Sequence, residues 1–286
     1  MALREVVGGK GNNVARALTR LGRKARPVTF LGGGVGDHCQ ELLKNDDGLD
    51  PLVTCTASST RVILTARTQD SPEQTAFFDP DPAITPSEAE ALFHRVEGAL
   101  SEGGVQALTL SGSSPSVSTH GLYSDLIALG RSRRVPVFLD TYGPALDAIW
   151  GFWPDAIQLN RREAATHLRV SSASDSDVSA LLEDWARHGV VCGIVTDGAG
   201  PVLAQFRGKR FKVTPPKIDA VNPIGCGDCL LAGQVDAWVS GRDPVAMLRH
   251  ALGCAVANAL VWDAGAIDPE EVRRQEEAVV VESLTR

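Results

Sequence analysis

The feature that most limits what this chain can fold into is the regular alternation of strand-like runs and helical patterns through its second half. A helical pattern over 86–100 leads to "VQALTLSG" (105–112), and a second over 118–132 leads to "VPVFLDT" (135–141). "DAIQLN" (155–160) reads as the next strand, and a helical pattern over 178–188 precedes "GVVCGIVTDG" (189–198). Short strands separated by helices of about 10–15 residues are βαβ units, which build a mainly parallel sheet covered by helices on both faces. An edge hairpin is expected over 201–213, and helices over 228–239 and 244–260 close the pattern.

Upstream, "GNNVARALTRLG" (11–22) puts Val14, Ala17, Leu18 and Leu21 on one helical face, with Gly22 as a stop. "RPVTFLGGGVGD" (26–37) reads as a buried strand running into a glycine turn, and 59–79 as a hairpin with a polar loop. With no internal repeat and no low-complexity linker, residues 1–286 are expected to form one α/β domain.

A net charge of -7 offers no broad basic surface, which argues against nucleic-acid binding. No apolar run approaches the ~20 residues that span a bilayer and the start carries no signal-peptide core, so a cytoplasmic location without membrane partners is the expectation. Six scattered cysteines (39, 55, 192, 226, 229 and 254) suggest free, mostly buried thiols. The six histidines show no ligand spacing.

In parallel α/β sheets ligands bind beyond the carboxyl ends of the strands. Polar or glycine-rich stretches fall there repeatedly: "GGKGNN" (8–13), "GGGVGD" (32–37), "SGSSP" (111–115), "LNRRE" (159–163), "TDGAG" (196–200) and "NPIGCGD" (222–228). In the last, glycines allow a sharp turn into a helix starting near Cys226–Asp228, whose free N–H groups and dipole can hold a phosphate. Asp228 is then either the helix N-cap or a general base for a hydroxyl attacking phosphorus. Cys226-x-x-Cys229 supplies one pair where a structural zinc site needs four ligands, and it lies late for a thioredoxin-like motif. Cys226, at a helix N-terminus, is a candidate reactive thiol. The glycines of "GGGVGD" do not fit the dinucleotide fingerprint.

"GGKGNNVARALTRLG" (8–22) resembles the first signature of the ribokinase-like carbohydrate kinases, the phosphofructokinase-B family, and "NPIGCGDCLLAG" (222–233) resembles the second. Between them "SGSSP", "QLNRRE" (158–163) and "VTDGAGPVLA" (195–204) resemble three minor family stretches in family order. The resemblance implies a three-layer α/β/α fold with a mainly parallel central sheet and a small β lid, its remnant over 59–79, and transfer of the γ-phosphoryl group of ATP, with Mg²⁺, to a sugar or sugar phosphate. It implies Asp228 as base and the amides of Gly225, Cys226 and Gly227 as an anion hole. Asn160 would face the nucleotide phosphates and Glu163 the Mg²⁺ through water, with Thr196, Gly198 and Gly200 lining the nucleotide and Asn258 near the adenine. Gly8, Gly9, Lys10 and Asn13 would face the sugar.

"STR" (59–61) and "VNPIGCGD" (221–228) are most similar to the tagatose-6-phosphate kinase and 1-phosphofructokinase branch, which makes Arg61 and Lys10 candidates for holding a substrate phosphate. Relatives often pair through the lid, so a homodimer is an expectation. Two departures stand out. Gln158 replaces a family lysine, and only seven residues precede Gly8, where relatives carry a strand and part of the lid. A catalytically impaired relative that still binds nucleotide or sugar phosphate is the alternative expectation.

Overall fold

A computed structural model describes residues 4–67, 74–149 and 151–284. The first half runs α1 (Lys10–Arg20), β1 (Val28–Leu31), α2 (Gly33–Asn45), β2 (Leu52–Cys55), β3 (Ile63–Arg67), β4 (Gln74–Phe78), α3 (Pro86–Ser101), β5 (Leu108–Ser111), α4 (Leu122–Ser132), β6 (Val137–Asp140) and the single turn α5 (Pro144–Asp147). The second half runs β7 (Ala156–Asn160), α6 (Arg161–Leu168), α7 (Asp175–Arg187), β8 (Cys192–Thr196), β9 (Val202–Phe206), β10 (Lys209–Thr214), α8 (Cys226–Val239), α9 (Pro244–Ala259), α10 (Pro269–Ala278) and β11 (Val280–Leu284).

Local chemistry sets the helix starts. Thr85, Asn160 and Ser174 each form a capping box with the acidic residue three positions on (Glu88, Glu163, Asp177), which satisfies backbone donors at the starts of α3, α6 and α7. Strand alternation then sorts side chains between two cores. In β6 and β7, Phe138 and Ala156 face the layer of α1, α8 and α9, whereas Val137, Leu139, Ile157 and Leu159 face that of α3, α4 and α7. The same period puts Asp140 and Gln158 on the α1/α8 side, where they meet those helices.

The central sheet has seven strands in the order β11-β10-β9-β8-β7-β6-β5. Only β5 to β8 are parallel; β8-β9, β9-β10 and β10-β11 are antiparallel, so the sheet is mixed rather than mainly parallel. The 201–213 hairpin is present but is not the edge, because β11 returns along β10 after α10, two elements beyond the expected last helix. "GGGVGD" begins α2 instead of forming a free turn: Gly33 at φ 64 opens the helix, and a Cβ on Gly32 would lie 2.1 Å from the Ser58 carbonyl oxygen. β1 and β2 form a separate parallel pair, and β3 with β4 an antiparallel ribbon whose connecting loop lies outside the described residues. Among the described residues no helix is long and apolar enough to cross a membrane.

Candidate active site

The start of α8 is built to stay open. Its N-cap, Gly225, is left-handed at φ 85, and a Cβ there would come within 2.5 Å of the Ala264 Cβ, so only glycine fits. Beneath it Asn258 is fully buried, donating to the Ile224 carbonyl at 2.8 Å and accepting the Gly265 N–H at 2.8 Å. These bonds fix the loop at the start of α8: the Cys226 N–H lies 3.4 Å from the Pro223 carbonyl oxygen, and the next amides of the first turn are the ones a helix leaves without internal partners. Asp228 follows as the third helical residue; the N-cap is Gly225, so the capping alternative for this aspartate does not hold. The residue is 5% exposed, and its carboxylate accepts from Asn13 Nδ2 at 2.7 Å. Burial pushes the Asp228 carboxyl up to about 6; the Asn13 hydrogen bond and Lys10 hold it down, while Asp140 and Glu163 push it further up.

The facing wall comes from the ends of β6 and β7. Lys10, at the first position of α1, donates to Asp140 Oδ1 at 2.9 Å, lies 3.8 Å from Glu163 Oε1, and stacks 5.4 Å from the Tyr142 ring centroid. Burial disfavours its charge, but the Asp140 pair outweighs that and raises its pKa. Glu163 spends Oε2 on the Asn160 N–H of its capping box, which leaves Oε1 toward Lys10; burial raises its pKa. Gln158 donates to Asp140 Oδ2 at 3.1 Å and to the Gly227 carbonyl at 2.7 Å, and its own carbonyl accepts from Gln234 Nε2 at 2.7 Å. It therefore ties the strand ends to the first turn of α8.

Of the residues anticipated from sequence, Lys10, Asn13, Glu163, Gly227 and Asp228 are joined through these contacts. Gly8 and Gly9 lead into α1, Gly9 at φ 96. Asn160 and Thr196 are register partners at the ends of β7 and β8, and Gly198 and Gly200 form the turn that follows. Arg61 stands apart at the foot of the β3–β4 ribbon, paired with Asp81. Asn258 is not open to an adenine: its amide is committed within the loop, where it also meets Cys226 and Cys229. All six cysteines are free, and burial raises the Cys226 thiol pKa instead of activating it.

Asp140 and Arg16 are site residues that the sequence motifs do not single out, and Gln158 stands out there only as a departure, with nothing to show its partners. Asp140 ends a β-strand whose other residues are apolar, in "VFLD", and a carboxylate as the last residue of a buried parallel strand is the signal that could have found it. The contacts of Gln158 and Arg16 carry no such signal, because their partners lie up to 76 and up to 248 residues away.

This arrangement, a glycine-opened helix start beside a buried carboxylate and faced by a lysine and two more carboxylates, can hold an anion and accept a proton next to it. The fold that carries it is of the ribokinase-like kinase class. The pfkB family carbohydrate kinase model matches residues 1–273, and the chain belongs to that family. It is 24% identical over 283 residues to a tagatose-6-phosphate kinase of Staphylococcus epidermidis, covering 97% of this chain and 90% of the relative. Its fold matches that of a possible 1-phosphofructokinase of Thermotoga maritima (TM-score 0.87, 22% identity, covering 100% of this chain and 93% of the other). It also matches Escherichia coli phosphofructokinase-2 solved with substrates and products (TM-score 0.85, 22% identity, covering 97% and 90%).

Proposed function

We propose that this carbohydrate kinase transfers the γ-phosphoryl group of ATP to a hydroxyl of a ketohexose phosphate, with Asp228 as the base. The observation that carries the reading is the placement of Asp228 directly behind the open first turn of α8. One element thereby offers amides for a phosphoryl group and a carboxylate for the attacking hydroxyl's proton. A carboxylate near 6 is ionised at neutral pH yet basic enough to take a proton. The kinship with a tagatose-6-phosphate kinase supports the substrate class.

Gly225, Cys226 and Gly227 would line the anion hole, and Asn160, Thr196, Gly198 and Gly200 the nucleotide side. Asp140 and Glu163 are hard oxygen donors, and they fit a Mg²⁺ ion that takes the rest of its shell from phosphates and water. When bound, Mg²⁺ would supply charge neutralisation on those phosphates. Lys10, already held by Asp140, would span the two sides, which leaves Arg61 as the better placed cation for the substrate's own phosphate, exchanging Asp81 for it.

ADP release is the test, measured with tagatose-6-phosphate, fructose-6-phosphate and fructose-1-phosphate. Turnover with one of them that vanishes in Asp228→Asn is expected. ATP binding without turnover on any of them would sink the reading and favour an impaired relative.

The β3–β4 ribbon carries Ile63, Leu64, Phe77 and Phe78 exposed on both faces, Phe78 at 65%. We propose that it packs against the ribbon of a second copy, with sedimentation showing a dimer that Phe77→Ser/Phe78→Ser converts to monomer; a wild-type monomer would end this idea.

A further inference from the structure

Asn13 can hold its hydrogen bond to Asp228 only if its amide group faces one way. A side-chain amide has two orientations that differ by a half-turn and occupy the same space. In one, the NH₂ points at the Asp228 carboxylate; in the other, the carbonyl does, and two acceptors oppose each other. What selects between them is the neighbour on the opposite side. Arg16, one turn further along α1, donates from Nη1 to Asn13 Oδ1 at 3.0 Å. A guanidinium only donates, so an NH₂ turned toward Arg16 would meet another donor. Both neighbours therefore demand the same orientation.

Arg16 is itself immobilised. Nε and Nη2 take the two oxygens of Asp47, each at 2.6 Å. The second Nη1 proton goes to the Ala264 carbonyl at 2.7 Å and the second Nη2 proton to the Val7 carbonyl at 3.0 Å. All five N–H groups of the guanidinium are thus used, in a side chain only 9% exposed. Gly265 allows this closeness: at φ 81 it lies against α1, and a Cβ there would come within 2.7 Å of the Asn13 carbonyl oxygen and 3.2 Å of the Arg16 Cβ. The neighbouring Ala264 is also the residue against which Gly225 packs. Arg16 therefore touches the supports of both the carboxylate and the anion hole without touching either.

We propose that Arg16 is a positioning residue for phosphoryl transfer: backed by Asp47, it fixes the Asn13 amide so that Nδ2 is always presented to the Asp228 carboxylate. The inference rests on the reading of Asp228 as base, and it assigns the buried ion pair a task beyond stability. A lysine cannot replace the arginine, because a single ammonium cannot face Asp47, Asn13, Val7 and Ala264 with five fixed donors.

The test compares Arg16→Lys, the milder Asp47→Asn, Asn13→Ser and the double variant Arg16→Lys/Asn13→Ser as full chains. Steady-state kinetics are read together with the side-chain amide resonances of Asn13 in ¹H–¹⁵N spectra, assigned by their loss in Asn13→Ser. Arg16→Lys is expected to lower kcat about 10-fold or more with little change in either KM. The double variant should be no slower than Asn13→Ser alone, because both break one chain of contacts. Asp47→Asn should act in the same direction more weakly. The spectra need no turnover: the hydrogen-bonded Asn13 proton should move toward the position of a free amide in Arg16→Lys and Asp47→Asn. If the wild type showed no kinase activity, the proposed function would fail while the spectra still decided this point. Losses that multiply in the double variant, or unchanged Asn13 resonances in a folded Arg16→Lys, would overturn the inference.

Discussion

Asn13 Nδ2 and Asp228 Oδ2 are 2.7 Å apart although 215 residues separate them, so the first helix of the chain reaches the carboxylate at the start of the eighth. That bond has a measurable sign. Burial pushes Asp228 up to about 6, and the Asn13 bond opposes the rise. A base works only when ionised, so kcat should fall as pH drops through about 6. In Asn13→Ala this acid limb should move to higher pH, because a hydrogen bond to the charged form has been removed. A pH–rate profile of the two proteins checks it; a limb that stays put would assign the Asp228 environment to something else.

The same carboxyl makes a stability prediction. Its folded value near 6 lies above the ordinary 3.8, so the ionised group costs stability above about pH 6 and the cost is absent below 3.8. Asp228→Asn keeps an acceptor for Asn13 and removes the charge. It should abolish turnover yet stabilise the fold at pH 8, by on the order of 2–3 kcal/mol. Urea midpoints at pH 8 and pH 4 provide the comparison, the gain shrinking toward zero at the lower pH. No gain at pH 8 would contradict the role given to burial.

The two glycines of the motif should respond differently to alanine. At Gly225 a Cβ meets both a left-handed φ of 85 and the Ala264 Cβ at 2.5 Å; at Gly227 the nearest atom is Gln158 Nε2 at 3.6 Å, an ordinary contact. Gly225→Ala is expected to destabilise the chain by roughly 1–3 kcal/mol and to disable the helix start, while Gly227→Ala folds normally. Thermal melts of both variants are sufficient, and equal melting temperatures would refute the distinction.

Much of this architecture is legible in the amino-acid order alone, and the reason is physical. The alternation of β5 to β8 with their helices follows from buried strands with apolar cores, and the open helix at 226 follows from glycines at fixed spacing. Sequence reasoning stops where a role depends on a distant partner. Asn258 looks like any polar residue late in a helix, yet its burial commits it to the loop at 224 and 265. Lys10 looks free to hold a phosphate, but Asp140, 130 residues away, holds it. β11 escapes a pattern reading because "VVESL" is short and half polar, its place being set by pairing with β10.

Gln158 holds three partners at once: Asp140, the Gly227 carbonyl and Gln234. Gln158→Leu removes all three bonds and strands the buried Gln234 amide donor, which should cost on the order of 1–3 kcal/mol, with activity falling further because the first turn of α8 loses its tether. Denaturant titration beside kcat measures both effects. A leucine variant as stable as the wild type would show that the network carries no net stability.

A last prediction concerns the far end of α8, where His250 of α9 lies between Asp236 Oδ2 and Glu276 Oε2, each at 2.8 Å from a different ring nitrogen. Two carboxylate acceptors require both nitrogens to carry protons, so the ring is an imidazolium. Burial works against that charge, but the contacts with Asp236, Cys254 and Glu276 outweigh it and push the pKa up to about 10. Arg23 holds the same Asp236 at 2.6 Å and Arg242 the same Glu276 at 2.7 Å, so the cluster ties the end of α1, α8, α9 and α10 together. Because the folded value is raised above the ordinary 6.5, the stabilisation is complete below about pH 6.5 and is lost as pH rises through about 10. His250→Gln should cost about 3 kcal/mol at pH 7 and flatten the alkaline decline in stability between about pH 8 and 10.5 that the wild type shows. Melting temperatures across that range test it, and an alkaline decline of the same depth in both proteins would remove His250 as its source.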